Sequence, residues 1–210
     1  MKVLVTGHKG FIGGEFYRHI KEYFRNDTVV FEGDLLKMDF RSKYDIIYHF
    51  AAKNRKETDF SNELELTKKL VSLLNHGGEF RYASSFMVYA DNQIAHEASK
   101  IDPRNEYARS KLECEKYIIE NVKKYFIFRI GHVYGKNAVR GFIKTLFDAR
   151  SNGKTIEIFD GGTVMMNFIH VDDVISMMRT AFVPGIYNVG NENILLNTLA
   201  QYASVKHTIS

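Results

Sequence analysis

Two groups of residues have types and spacing suited to chemistry. The first is Gly7-His8-Lys9-Gly10-Phe11-Ile12-Gly13, which follows the apolar run Lys2–Thr6 and opens an amphipathic stretch. A glycine-rich turn between a strand and a helix lets the backbone approach a pyrophosphate, and the helix N-terminus adds N–H groups and a positive dipole. Gly7 serves the tight turn, Gly10 the close approach, Gly13 the packing of helix on strand, and Phe11 and Ile12 between them are counted with the cofactor-binding loop. The second group is Tyr107-Ala108-Arg109-Ser110-Lys111, whose spacing puts Tyr107 and Lys111 on one helical face. A phenol is a poor base at its ordinary pKa of about 10. A neighbouring ammonium and the positive nicotinamide ring of a dinucleotide both favour the phenolate. Tyr107 would then accept a hydroxyl proton while hydride leaves to the nicotinamide, and Lys111 would also hold the nicotinamide ribose. Ser85, just after the run Glu79–Ala83, offers a hydroxyl to the reacting oxygen.

Tyr-x-x-x-Lys arises by chance in a chain with 12 tyrosines. Its weight here comes from order: glycine loop, acidic position, Ser84-Ser85 at a strand end, then the Tyr–Lys pair on the next helix. The acidic position is Glu32, after the run Thr28–Phe31, with Asp34 two residues on. A carboxylate there accepts hydrogen bonds from ribose hydroxyls and repels a 2′-phosphate, which favours NAD. Lys9 in the glycine loop could meet a 2′-phosphate, so NADP stands as the alternative cofactor.

The elements that must position these residues alternate. Strands are expected at Lys2–Thr6, Thr28–Phe31, Asp45–Phe50, Glu79–Ala83 and Tyr125–Ile130. A helix is expected from about Ile12 to Arg25, with Phe16, Ile20, Tyr23 and Phe24 as its apolar stripe. Further helices are expected over Glu63–Asn75, closed by Gly77-Gly78 as a C-cap signal, and over Glu106–Asn121. Right-handed crossovers lay such strands into a doubly wound parallel sheet, an α/β Rossmann-type fold. Residues 1–135 read as the NAD(P)-binding core. Residues 136–210 read as the remainder of that core with a small α/β lobe, one compact domain overall. In that part we expect a helix near Gly141–Arg150, strand pieces at Thr155–Phe159 and Asn167–His170, and helices around Asp172–Ala181 and Leu196–Ala203.

Composition bounds the function. The 210 residues are 45% hydrophobic and 26% charged, with a net charge of +4. One cysteine, Cys114, allows no internal disulfide and suits a reducing, cytoplasmic setting, and it excludes a cysteine-based metal cluster. No run of about 18 apolar residues is present, so no membrane partner is expected. The basic residues are scattered, with small clusters at Lys53–Lys56 and Lys123-Lys124, and form no stripe interleaved with aromatics. They suit an anionic small ligand or a plain solvated surface, and no nucleic acid is expected.

The ordered motifs resemble the extended short-chain dehydrogenase/reductases, the superfamily of sugar-nucleotide epimerases and reductases. They are Val5-Thr6-Gly7-x-x-Gly10-Phe11-Ile12-Gly13, Gly33-Asp34-Leu35, His49-Phe50-Ala51-Ala52, Ser84-Ser85-x-x-Val88-Tyr89, and Tyr107-x-x-Ser110-Lys111-x-x-x-Glu115. Arg129-Ile130-x-x-Val133-Tyr134-Gly135, Phe168-Ile169-His170-Val171-Asp172-Asp173-Val174 and Tyr187-Asn188-Val189-Gly190 continue the likeness along nearly the whole chain. The resemblance implies that Ser85, Tyr107 and Lys111 are catalytic. It implies that Ala51 and Ala52 line the adenosine and ribose side of the cofactor, and that Asp34 and Leu35 approach the adenine. It also implies a homodimer through the helices at Glu63–Asn75 and around Tyr107, with Leu70, Leu73 and Leu74 as either interface or core.

Departures from the family narrow the chemistry. Phe86-Met87 stands where the related 4,6-dehydratases carry an Asp-Glu acid–base pair, so water elimination is not expected. Met87 also replaces the cysteine of the fucose-type epimerase-reductases. Met166 stands where an arginine helps hold the substrate diphosphate, beside Asn167. His132 replaces an asparagine and reads as an acid–base or substrate hydrogen-bonding group, or as packing. Met87, His132 and Asn167 are thus the substrate-side candidates. Asp172 and Asp173 are expected to cap a helix N-terminus. Family members continue well beyond the equivalent of Ser210, so the substrate lobe reads as reduced. The expected function is an NAD(P)-dependent epimerase or reductase acting on a sugar hydroxyl or ketone, with a nucleotide sugar as substrate. Two alternatives are a non-catalytic cofactor-binding module and an oxidoreductase for a smaller substrate.

Overall fold

The computed structural model describes residues 1–24, 27–30, 34–40, 42–52, 60–89, 94–158 and 160–209. Strand and helix alternate through β1 (Val3–Thr6), α1 (Phe11–Phe24), β2 (Thr28–Val30), β3 (Tyr44–His49), α2 (Ser61–Ser72), β4 (Leu74–Ser85), α3 (Glu106–Asn121) and β5 (Lys124–Ile130). Then come β6 (His132–Tyr134), α4 (Phe142–Ser151), β7 (Ile156–Ile158), β8 (Met165–His170), α5 (Val171–Thr180), β9 (Gly185–Val189), β10 (Glu192–Leu195), α6 (Leu196–Tyr202) and β11 (His207–Ile209). The main sheet has six strands in the order β2-β1-β3-β4-β5-β9, and every neighbouring pair is parallel.

A parallel sheet is buried on both faces, so its strands read as nearly continuous apolar runs. Successive side chains go to opposite sides. Val3 and Val5 pack with Phe16 and Ile20 of α1 and Val174, Ile175 and Met178 of α5. Leu4 joins Ile47, Phe80 and Tyr82 on the other face, beneath Leu70, Leu73, Cys114 and Ile118 from α2 and α3. Each such side chain, fully buried, stabilises the fold by about 1.5–3 kcal/mol relative to exposure. Leu70 and Leu73 are therefore core residues, and Leu74 packs against the same cluster.

The later part of the chain does two jobs. α5 and β9 complete the layers of the main sheet. The rest forms a lobe with a three-stranded sheet, β10-β8-β6, and a two-stranded one, β11-β7. Its own core holds Leu146, Phe168, Leu196 and Ala200. The short strands β6, β9, β10 and β11 had no counterpart in the expected elements. Each has three to five residues, too few for a period-two pattern to stand out.

Three local expectations are corrected. Gly77-Gly78 does not cap α2: the helix ends at Ser72 with Leu73 as its C-cap, and Leu73 turns into the core. The glycines instead lie inside β4, where the register to β3 jumps from Tyr44↔Leu74 to Ile46↔Glu79. The looped-out residues need the left-handed backbone of Gly77 (φ 76°). Tyr23 is not part of the core stripe of α1. It is 68% exposed, and its ring carries the Arg179 guanidinium at 4.4 Å. Asp172 and Asp173 do not cap α5. The cap is His170, whose side chain accepts from Asp172 N, and the two carboxylates lie in the first turn, where the helix dipole favours them.

Candidate active site

Strand order reverses between β1 and β3: the chain crosses from β1 to β2 on one side and returns to β3 on the other. Loops at the carboxyl ends of two such strands diverge and leave a crevice. Here these are the glycine loop after Thr6 and the Phe50-Ala51-Ala52 turn after His49. Gly7 adopts φ 74°, and a Cβ on it would lie 2.5 Å from Ala51 N. A Cβ on Gly13 would overlap the Gly7 carbonyl and crowd Phe50 Cβ at 3.1 Å. Both glycines are thus required by backbone against backbone. Gly10 has only the Gly7 oxygen within 4 Å of its Cβ position, so its outer side is clear. Gly10 N donates to Gly7 O at 2.9 Å, and Gly14 N donates to Gly10 O at 2.8 Å. The N–H groups of Phe11, Ile12 and Gly13 thus belong to the first turn, which has no intrahelical acceptor for them. This cradle fits a dinucleotide pyrophosphate.

The adenosine side is partly described. Ala51 is half-buried against the glycine loop, its N–H donating to Thr6 Oγ1 at 3.3 Å, and Ala52 is exposed. Asp34 is exposed and turns Leu35 and Leu36 by accepting from Leu36 N at 3.0 Å. Glu32 and Gly33 lie outside the described residues, as does the Lys53–Lys56 cluster.

α3 brings the second group together. Asn105 caps it by accepting from Ala108 N at 2.8 Å, which fixes the helix register two residues before Tyr107. Lys111 is 4% exposed, and its Nζ donates to the Ala83 carbonyl at 2.9 Å. The ammonium lies 4.7 Å from the centre of the Tyr82 ring and 5.9 Å from that of Tyr107. Ser85 ends β4, and its Oγ accepts from Met87 N at 3.2 Å, capping the short 3-10 turn Phe86–Val88. With an oxygen lone pair so engaged, the Ser85 hydroxyl hydrogen is the part left to offer an acceptor.

One turn beyond Lys111, Glu115 extends the same stripe and is 1% exposed. Ser84 donates to Glu115 Oε1, and Arg129 of β5 donates to both carboxylate oxygens, with Nη2 to Oε2 at 2.7 Å. Arg129 Nη1 also donates to Tyr89 Oη at 2.7 Å, and Tyr89 donates to Asn188 Oδ1 at 2.8 Å. The paired Glu115 carboxylate and the Tyr89 hydroxyl hold the Arg129 guanidinium protonated against its burial. These bonds fasten α3, β5 and β9 to the end of β4. Glu115 and Arg129 stand in the sequence motifs without a role that local spacing reveals. Their signal was a charge inside an apolar strand and an acid one turn from Lys111.

Below the crevice floor sits His49, fully buried. Thr6 Oγ1 meets its Nδ1 at 2.8 Å, and Thr67 Oγ1 meets its Nε2 at 3.4 Å while donating to Glu63 O. This pattern suits a neutral ring with the proton on Nε2. Burial, and then the charge of Lys111, push the imidazole down to about 3.

The substrate-side candidates are more dispersed. Met87 is half-buried in the 3-10 turn, and its backbone N–H goes to Ser85. His132 starts β6 in the lobe sheet, registered with Phe168 and 5.7 Å from its ring centre, a packing position. Asn167 wedges its amide between Gly131 and Gly190: a Cβ on Gly131 would lie 2.8 Å from Oδ1, and one on Gly190 would collide with it. Met166 packs against the apolar core of the lobe. The structure places Tyr107 and Lys111 on one face of α3, ties Lys111 to Ala83 two residues before Ser85, and sets His132 and Asn167 in the lobe sheet.

No helix among the described residues is long and apolar enough to cross a membrane. Compared with known proteins, the chain is 22% identical to a dTDP-D-glucose 4,6-dehydratase of Dictyostelium discoideum, over 91% of this chain and 58% of that protein. It is 26% identical to an ADP-L-glycero-D-manno-heptose-6-epimerase of Brachyspira hyodysenteriae, over 91% of this chain and 76% of that one. Among solved structures, MoeE5 in complex with UDP-glucose and NAD superposes with a TM-score of 0.86 at 22% identity, covering 100% of this chain and 85% of MoeE5. The sequence model of the NAD dependent epimerase/dehydratase family matches residues 3–190, a span that takes in the glycine cradle, Ser85, Tyr107 and Lys111, and the chain belongs to that family of NAD-dependent enzymes.

Proposed function

We propose that the chain binds NAD in the Gly7–Gly13 cradle and interconverts a carbohydrate hydroxyl and ketone on a nucleoside-diphosphate sugar, as an epimerase or reductase of the cytoplasm. The observation that carries this reading is the tie between α3 and β4. Lys111 bonds the carbonyl of Ala83, two residues before Ser85, while Tyr107 lies one turn earlier on the same helical face. When bound, the nicotinamide supplies the hydride acceptor and donor. Ser85 donates its hydroxyl hydrogen to the reacting oxygen and fixes it. Tyr107 takes the proton from that oxygen and later returns it. Lys111 stabilises the negative charge that develops on the tyrosine oxygen, and its buried position makes this charge act through little water.

Dehydration is disfavoured, because Phe86 and Met87 beside Ser85 carry no ionisable group. Supporting a nucleotide sugar are relatives named for dTDP-glucose and ADP-heptose and a structural neighbour that holds UDP-glucose. A second reading, a smaller uncharged substrate, draws on Met166, whose side chain packs into the lobe core and brings no cation. The test is turnover of UDP-, dTDP- and ADP-linked hexoses and of short free sugars and alcohols, with NAD and with NADPH. Tyr107→Phe should lower turnover by about 10³-fold with NAD affinity retained. Equal rates for Tyr107→Phe and the wild type would end this reading.

A further inference from the structure

Lys111 poses a physical problem. Its ammonium is almost wholly buried, and among the described residues no carboxylate lies within ion-pair distance of it. A buried ammonium is costly unless something replaces its hydration. One hydrogen bond to the Ala83 carbonyl replaces part of it. Nζ also lies over the face of Tyr82, 4.7 Å from the ring centre, closer than the Tyr107 ring at 5.9 Å. Tyr82 is fully buried on β4, one residue before Ala83. Its ring is pinned beside His49, with centres 5.3 Å apart, and within the core of Phe80, Cys114 and Ile118. Its hydroxyl lies near Cys114 but makes no hydrogen bond of ordinary geometry. The phenol oxygen thus faces Cys114, away from any hydrogen bond to Lys111, while the ring face meets the ammonium.

We propose that Tyr82 is a positioning residue: the negative face of its ring holds the Lys111 ammonium at the end of β4, in the place from which it serves Tyr107 and the cofactor ribose. This rests on the cofactor reading above. An aromatic face suits the task better than a carboxylate. It holds the cation without neutralising it, so the full charge stays available to the tyrosine oxygen. Neutral His49, behind the same ring, adds no competing charge.

The proposal separates ring from hydroxyl. Tyr82→Phe keeps the face, and Tyr82→Leu keeps an apolar side chain but removes it. Each variant and the wild type would be titrated with NAD by calorimetry. In parallel, the Lys111 ε-methylene protons would be followed without cofactor by NMR of lysine-labelled protein, with the resonance assigned by its loss in Lys111→Met. The expected result is wild-type NAD affinity and an upfield ring-current shift of the ε-protons in Tyr82→Phe. Tyr82→Leu should lose that shift and bind NAD about tenfold more weakly. A merely structural role would lower the melting temperature and leave folded Tyr82→Leu with normal NAD affinity. That result, or Tyr82→Phe behaving as Tyr82→Leu does, would overturn the proposal. Failure of the wild type itself to bind NAD would instead overturn the cofactor reading, and this proposal with it.

Discussion

The proposed cofactor side and the proposed substrate side of this molecule are built in different ways. On the cofactor side, polar and backbone contacts fix the glycine loop and the ends of α3 and β4. Gly7 and Gly13 fill spaces where backbone meets backbone, Asn105 caps α3, and Lys111 and Ser84 are bonded across α3 and β4. In the lobe, most candidate positions sit in apolar packing. Met166 joins a cluster around Phe168 and Leu196, and His132 lies tilted against the Phe168 ring. Chemistry common to a family needs fixed geometry. Substrate choice depends on side-chain shape, which packing allows to drift.

The contrast can be broken at several points. The largest stability effect is expected from Arg129→Met, which leaves the Glu115 carboxylate buried at 1% exposure without its cation. The loss should be about 3–5 kcal/mol by denaturant titration. A loss below 1 kcal/mol would mean that the network does not fasten the site.

Next comes Gly13→Ala, whose Cβ meets the Gly7 carbonyl, a backbone group that cannot swing away. It should cost about 3 kcal/mol and weaken NAD binding strongly. Gly185→Ala at the start of β9 is its control, since nothing lies within 4 Å of its Cβ position. That substitution should be neutral or slightly stabilising. Equal effects at the two glycines would deny the cradle its special tightness.

A third effect is pH-dependent. His49 is lowered from 6.5 to about 3 in the fold, so between these values the unfolded chain binds a proton that the folded chain does not. Stability contributed by the neutral ring is therefore complete above about 6.5 and is lost as pH falls toward 3. The loss should reach on the order of 2 kcal/mol near pH 5, and His49→Gln should flatten that slope in denaturant titrations at several pH values. An unchanged slope would place the acid sensitivity elsewhere.

The smallest effect sharpens the contrast from the lobe side. Met166 is only partly buried, so Met166→Ala should cost about 1–2 kcal/mol, less than a full core deletion, with NAD affinity unchanged. A change in NAD affinity would join the two sides energetically.

The sequence exposed the cofactor side because its demands are local. A glycine loop, a strand end and a Tyr–Lys helix face are each set by neighbours a few residues apart, and α3 falls at the expected Glu106–Asn121. What the sequence hid depends on distant partners. Tyr23 has the spacing of a core residue, yet it reaches Arg179 of α5. Gly77-Gly78 has the composition of a helix stop, yet it serves a register jump against β3. His170 takes the cap that the neighbouring aspartates would ordinarily fill. The Tyr82 face beneath Lys111 joins β4 to α3 across 29 residues of sequence and has no pattern of its own.

The central claim is that the Gly7–Gly13 cradle holds NAD. Its most direct test is the shift in melting temperature of the purified chain with NAD, NADH, NADP and NADPH in turn, because a ligand that binds only the folded state stabilises it by an amount that grows with the logarithm of its concentration over its dissociation constant. A clear upward shift is expected with NAD and NADH, smaller with the phosphorylated pair, and abolished in Gly13→Ala. No shift with any of the four dinucleotides would contradict it.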